Sequence, residues 1–249
     1  MTDDTPLVGV DACPAGWVAT VCEGDIVRVE THEAFAAVTE TYPEGPILVD
    51  IPIGLPTGSR RRCDEAASEL LGCRGISVFY PPSERAIEHD EYDAASDAHR
   101  ADVGHGLSQQ AFHIRDKIRE VADVVGDDYD GRVREAHPEL CFAGLNGQPV
   151  AYGKSGARGR RLRRALLAEV LDGAERAYED ALERYPRNAV RRDDILDSLV
   201  LSVAGEGFST ATGIADTLAT VPTDPDGDEP RIYYPGFEIP GPPGRPENV

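Results

Sequence analysis

The sequence predicts an α/β fold: a mixed five-stranded sheet flanked by helices, with a helical insertion between the fourth and fifth strands. Three observations lead there. The N-terminal segment holds three apolar runs joined by tight turns. A fourth run, ILVDIPI at 47–53, follows a short helical segment. A long helical stretch then separates this run from a short fifth strand, and further helices follow.

Residues 7–10 (LVGV) form a short apolar run that ends at Asp11 and reads as a buried strand. Residues 17–22 and 26–31 read as the next two strands, turned by Gly24-Asp25. A short helix is expected over 32–42. The 47–53 run is the clearest buried strand, with Asp50 at its centre and Gly54-Leu55-Pro56 ending it. Helices follow around 63–71, 83–101 and 107–125. The last carries a stripe of Leu107, Ala111, Ile114, Ile118, Val121 and Val125. Residues 132–136 read as the fifth strand, 161–185 as a long amphipathic helix and 193–204 as a more buried one. TLATVP and RIYYP are two edge strands around an acidic turn, PDGDE. One domain is expected over 1–235, with its insertion at about 55–128 and a flexible Gly/Pro-rich tail at 236–249.

The 249 residues carry 25 basic and 45 acidic side chains, a formal charge of −20. Lys occurs only at 117 and 154; every other base is Arg. Such a charge repels polyanions at long range and excludes a histone-like or polybasic membrane-surface role. Many acids with little Lys point to a halophilic chain working in concentrated salt. At ~1 M the Debye length is about 3 Å, so short contacts decide what binds. The five Cys contain no C-x-x-C and no interleaved His, so reduced thiols and a cytoplasmic location are expected. The acidic N-terminus is no signal peptide, and no apolar run is long enough to span a membrane. No obligate protein partner is evident.

Against so many acids, only context discriminates. Asp11 follows Leu-Val-Gly-Val, and Asp50 is bracketed by Ile-Leu-Val and Ile-Pro-Ile. A charged carboxylate there costs several kcal/mol unless it is paired or holds a metal. If the two strands are parallel neighbours, Asp11 and Asp50 face each other, and Mg²⁺ (or Mn²⁺) is the natural cation between them. A third acid comes from RVREAHPE, with Glu135 favoured and Glu139 next. A fourth comes from the C-terminal helix, as Asp194 or Asp197, which share a face at i,i+3. Asp193 reads as that helix's N-cap. Acids from three strands and a helix suit two-metal phosphoryl chemistry. The metal set expected is Asp11, Asp50, Glu135 and Asp197, with His137 as a possible auxiliary group.

The element order is that of the ribonuclease H-like fold. The sequence also resembles the DUF429 family, regarded as predicted nucleases of that fold, in a haloarchaeal-type form. The resemblance rests on VGVDACPAGW (8–17), LVDIPIGLP (48–56), RRCDEAASELLG (61–72), SVFYPP (77–82), GLSQQAFHIRDKIREVADV (106–124), EAHPELCFAGLNG (135–147) and DDILDSLVLSVAG (193–205). It implies that Asp11, Asp50, Glu135 or Glu139, and Asp194 or Asp197 map onto the catalytic acids of ribonuclease H-like enzymes. Ser198 stands where an alanine is usual, and Ser68 where a basic residue is expected.

Residues 154–164 (KSGARGRRLRR) carry six bases and no acid. Lys154, Arg158, Arg160, Arg161 and Arg164 are therefore expected to contact phosphates, after a flexible Gly-rich loop. Gly147 and Gly153 are misspaced for a phosphate-binding loop of the G-x-x-x-x-G-K-[ST] type. The expected function is a nuclease or phosphodiesterase hydrolysing nucleic-acid phosphodiester bonds with two Mg²⁺ or Mn²⁺ ions. Its alternatives are an actin/sugar-kinase-like phosphotransferase or ATPase, and a non-catalytic nucleic-acid-binding protein of the same fold.

Overall fold

Leu7–Cys13 (β1), Gly16–Glu23 (β2) and Ile26–His32 (β3) form an antiparallel meander in the computed structural model, which describes residues 5–126, 131–204, 218–220 and 230–235. Helix α1 (Phe35–Thr41) leads to β4 (Ile47–Val49). The helical segment that follows comprises α2 (Arg62–Leu71), α3 (Glu84–Ile87), α4 (Tyr92–Val103), α5 (Gln109–His113) and α6 (Arg115–Val125). Then come β5 (Val133–Glu135), α7 (Pro138–Asn146), α8 (Ala157–Val170), α9 (Ala174–Arg184) and α10 (Arg192–Ala204). The short strands β6 (Leu218–Thr220) and β7 (Tyr233–Pro235) pair as an antiparallel ribbon.

The main sheet runs β3-β2-β1-β4-β5, with β4 parallel to both β1 and β5. Alternation along the strands divides the core. Val8, Val10, Ile47, Val49 and Val133 pack with Trp17, Phe35, Ile118 and Val121 on the α1/α6 face. Leu7, Val18 and Leu48 pack with Leu140, Leu167, Leu196 and Leu199 on the other. Asp11 continues the Leu7 series and Asp50 the Leu48 series, so both face the layer that contains α10. Nearly every side chain of α10 is buried, which marks it as a central helix. The Ser198 hydroxyl bonds to that of Thr20 at 2.8 Å, and the Cys22 thiol to the Ser202 hydroxyl at 3.3 Å.

Several expected boundaries change. The fourth strand stops at Val49, so Asp50 lies just beyond it rather than at its centre. Its N–H still bonds to Val10 O at 3.0 Å, but Pro52 has no N–H to extend the ladder. The single helix expected over 107–125 divides at Ile114 into α5 and α6, and the 83–101 segment divides into α3 and α4. The long helix expected over 161–185 is α8 and α9, broken where Gly173 takes φ +89°. Asp193 lies inside α10 rather than capping it. The Arg191 carbonyl accepts the Ile195 N–H, and the Asp194 carboxylate reaches back to the Arg191 N–H at 2.9 Å. The acidic turn between β6 and β7 and the tail from Gly236 lie outside the described residues. Among the described residues, Cys13, Cys22, Cys63 and Cys141 are buried thiols outside any disulfide, and Cys73 is exposed. No described helix is long and apolar enough to cross a membrane.

Candidate metal centre

Asp50 follows the C-terminal end of β4, and Asp11 sits in the neighbouring parallel strand, one position past Val10 in the same register. Helix α10 crosses above them and lowers Asp197 between them. Each of the three offers a carboxylate oxygen, and these oxygens lie within 4.8 Å of one another. Asp11 is 8% exposed and Asp197 1%.

The fourth member of the cluster is Lys154. Its Nζ donates to Asp197 Oδ2 at 2.5 Å. The loop carrying it is held rather than loose. Arg163, fully buried in α8, donates to Tyr152 O at 2.9 Å and Gly159 O at 3.1 Å. A Cβ at Gly159 would lie 2.1 Å from Gly153 O, so only glycine lets the loop pan flat against the helix start.

With all three carboxylates ionised, they and the ammonium carry a formal charge of −2 around two buried aspartates. The electrostatics follow. Burial, with Asp50 and Asp197 alongside, holds the Asp11 carboxyl well above its ordinary range. Burial pushes Asp50 and Asp197 up to about 6, against the lowering pull of Lys154. Asp197 in turn holds the Lys154 ammonium in its charged form. Asp197 Oδ1 is buried with no hydrogen-bond partner among the described residues. Asp11 Oδ1 takes the Ala12 N–H at 2.7 Å. An excess of negative charge, hard oxygen ligands and an unsatisfied buried oxygen together fit a small divalent cation.

The other expected acids are not part of this group. Glu135 lies on β5, but Arg61 donates to both its oxygens, at 2.8 and 2.7 Å, and Ile53 N–H binds Oε2 at 2.7 Å. Arg61 also grips Asp64, making a buried Asp–Arg–Glu triad. Glu139 is bound through both oxygens by Arg163 at 2.7 and 2.8 Å, with Arg74 at 3.7 Å. Asp194, raised to about 6 by burial, serves the start of α10 instead. Glu135 and Glu139 each face an arginine distant in the sequence, whereas Asp194 caps the start of its own helix. His137 Nε2 lies 3.4 Å from Ser77 O, and its Nδ1 is buried without a partner among the described residues. Burial lowers its pKa, so the ring stays neutral at pH 7.

The basic segment divides by role. Lys154 belongs to the acid cluster and Arg163 to Glu139. Arg164 pairs with Glu175 and Glu179, and Arg158 lies over the exposed Tyr152 ring. Arg160 bonds to Ser155 O and borders an open hollow of about 350 Å³, together with Ser155, Arg187, Arg191, Arg192 and Asp193. Arg187, Arg191 and Arg192 have no carboxylate partner among the described residues, and Arg192 Nε is buried without one. A second hollow of about 600 Å³ shares Arg160 and Arg192 and adds Arg161 and Arg164. Ser155, on the rim of the hollow, follows Lys154 in the chain, and Asp193, also on the rim, lies one turn of α10 before Asp197. The pairs at 61 and 163 and the contribution of Arg187 were not legible from the chain. Arg61 stands three residues before Asp64 in a motif segment, whereas Arg163 and Arg187 have no motif acid beside them.

The fold and site together define an α/β protein whose mixed sheet and central helix converge two buried aspartates, the half-buried Asp50 and a partly exposed lysine. The chain belongs to the family described as protein of unknown function (DUF429), whose model matches residues 9–226. No curated protein and no solved structure matches the chain.

Proposed function

We propose that this protein is a Mg²⁺- or Mn²⁺-dependent phosphodiesterase of ribonuclease H-like fold that hydrolyses nucleic-acid strands. The observation that carries the reading is the Asp11–Asp50–Asp197 cluster. With its carboxylates ionised it has a formal charge of −2 even beside Lys154, and the buried Asp197 Oδ1 has no hydrogen-bond partner among the described residues. The strand order β3-β2-β1-β4-β5, with a helix acid brought over the β1/β4 junction, supports the fold assignment.

Asp11, Asp50 and Asp197 would hold the cation. When bound, such an ion supplies Lewis-acid activation of a phosphate oxygen and of water. The chain's own groups do the rest. Lys154 presents its ammonium beside Asp197, where it can donate to a phosphate oxygen. The hollow lined by Arg160, Arg187, Arg191 and Arg192 attracts consecutive phosphates of a strand leading to the centre. His137, neutral with a free buried Nδ1, can accept a proton.

The test is cleavage of labelled DNA and RNA oligonucleotides with Mn²⁺ in high salt. Cleavage that disappears in EDTA and in Asp197→Asn supports the reading. Absence of cleavage by the wild type across both nucleic acids, or undiminished cleavage by Asp197→Asn, overturns it.

A further inference from the structure

We infer that the centre takes one divalent cation rather than two, and that the Lys154 ammonium supplies the positive charge a second ion would bring. This rests on the metal-dependent reading above and makes it more specific.

The argument is a count of oxygens and charges. A second ion needs its own carboxylates. The acids nearest the cluster are committed elsewhere: Glu135 to Arg61 and the Ile53 N–H, Glu139 to Arg163 and Arg74, Asp194 to the Arg191 N–H. Each of these two glutamates meets a guanidinium that cannot lose its proton, so neither can turn toward a metal without stranding a buried charge. Within the cluster, Asp197 Oδ2 already faces Lys154 Nζ at 2.5 Å. Among the described residues, what remains open is Asp197 Oδ1, the Asp50 carboxylate and the second oxygen of Asp11. That set suits one ion, with water completing its shell.

Charge gives the same answer. One divalent ion neutralises the three aspartates and Lys154 together, whereas a second would leave two uncompensated positive charges in a buried site. Lys154 is also placed deliberately. Its loop is fixed by Arg163 to Tyr152 O and by the close approach of Gly153 to Gly159, and the side chain, 39% exposed, turns its ammonium onto Asp197. A chain with only two lysines spends one of them here.

The experiment is titration of Mn²⁺ into the metal-free protein, followed by calorimetry and by the loss of the free-Mn²⁺ spin-resonance signal. Three chains are compared: wild type, Lys154→Met and Lys154→Arg. The wild type is expected to bind one ion. Lys154→Met removes the internal charge without polar replacement, and is expected either to bind a second ion or to bind the first at least about tenfold more tightly. Lys154→Arg keeps the charge and is expected to match the wild type. Thermal melts of all three establish folding, and Lys154→Arg keeps the comparison informative should Lys154→Met unfold. Two ions in the wild type, or a Lys154→Arg chain that takes two, overturns the inference while leaving the metal-dependent reading intact. A folded Lys154→Met chain with unchanged stoichiometry and affinity does the same. No saturable Mn²⁺ binding by the wild type overturns both.

Discussion

Gly9 in β1 lies directly against the backbone of Ser198 in α10: a Cβ at Gly9 would sit 2.2 Å from the Ser198 carbonyl oxygen and 2.2 Å from the Ser202 nitrogen. The missing side chain lets α10 settle onto the sheet, and that depth brings Asp197 to Asp11. Gly9→Ala is therefore expected to destabilise the fold by about 3 kcal/mol through overpacking. Urea denaturation measures it, and a loss under about 0.5 kcal/mol would show that the helix can ride higher without cost.

The acid cluster costs the metal-free fold stability. In the metal-free chain the native carboxyls of Asp50 and Asp197, raised from 3.8 to about 6, hold protons that the unfolded chain releases. Between about pH 4 and 6 the native state binds more protons, so this contribution to stability falls as pH rises through that window. Asp50→Asn removes the burden. In EDTA the variant is expected to melt above the wild type at pH 7, with the gap closing toward pH 4.5. With saturating Mn²⁺ at pH 7 the order reverses, because only the wild type gains full ligand stabilisation. Scanning fluorimetry reads all three conditions.

The Arg163–Glu139 pair is expected to be a structural bond, and its energetics distinguish it from a ligand. Arg163→Met alone should cost about 3–5 kcal/mol, since it strands Glu139 in the core. Adding Glu139→Leu should recover most of that loss, with a large coupling energy in the double-mutant cycle. Additive losses would show that the two residues act separately.

Strand binding is expected to depend on the arginine hollow rather than on the whole basic segment. Replacing Arg187, Arg191 and Arg192 together by Gln should flatten the plot of log affinity against log salt by about 2 for a single strand. Arg164→Gln should leave the slope unchanged, because Arg164 is paired with Glu175 and Glu179. Anisotropy of a labelled oligonucleotide in EDTA provides the measurement.

Against the charge of −20, the informative features are local ones. Asp11 and Asp50 were legible because charged residues inside apolar runs contradict the local pattern, and such a contradiction needs a partner. The meander, the parallel fourth strand and the buried C-terminal helix were legible from periodicity, which depends only on neighbours along the chain. What the sequence could not decide was which acids would be answered. Glu135, Glu139 and Asp197 all sit beside apolar residues in motif segments, and nothing local distinguishes them. Tertiary packing gave Arg61 to Glu135 and Arg163 to Glu139, and left Asp197 with Lys154 and one bare oxygen. A carboxylate's role is set by the charge that arrives opposite it, and that charge comes from elsewhere in the chain: 74 residues from Glu135, 24 from Glu139 and 43 from Asp197.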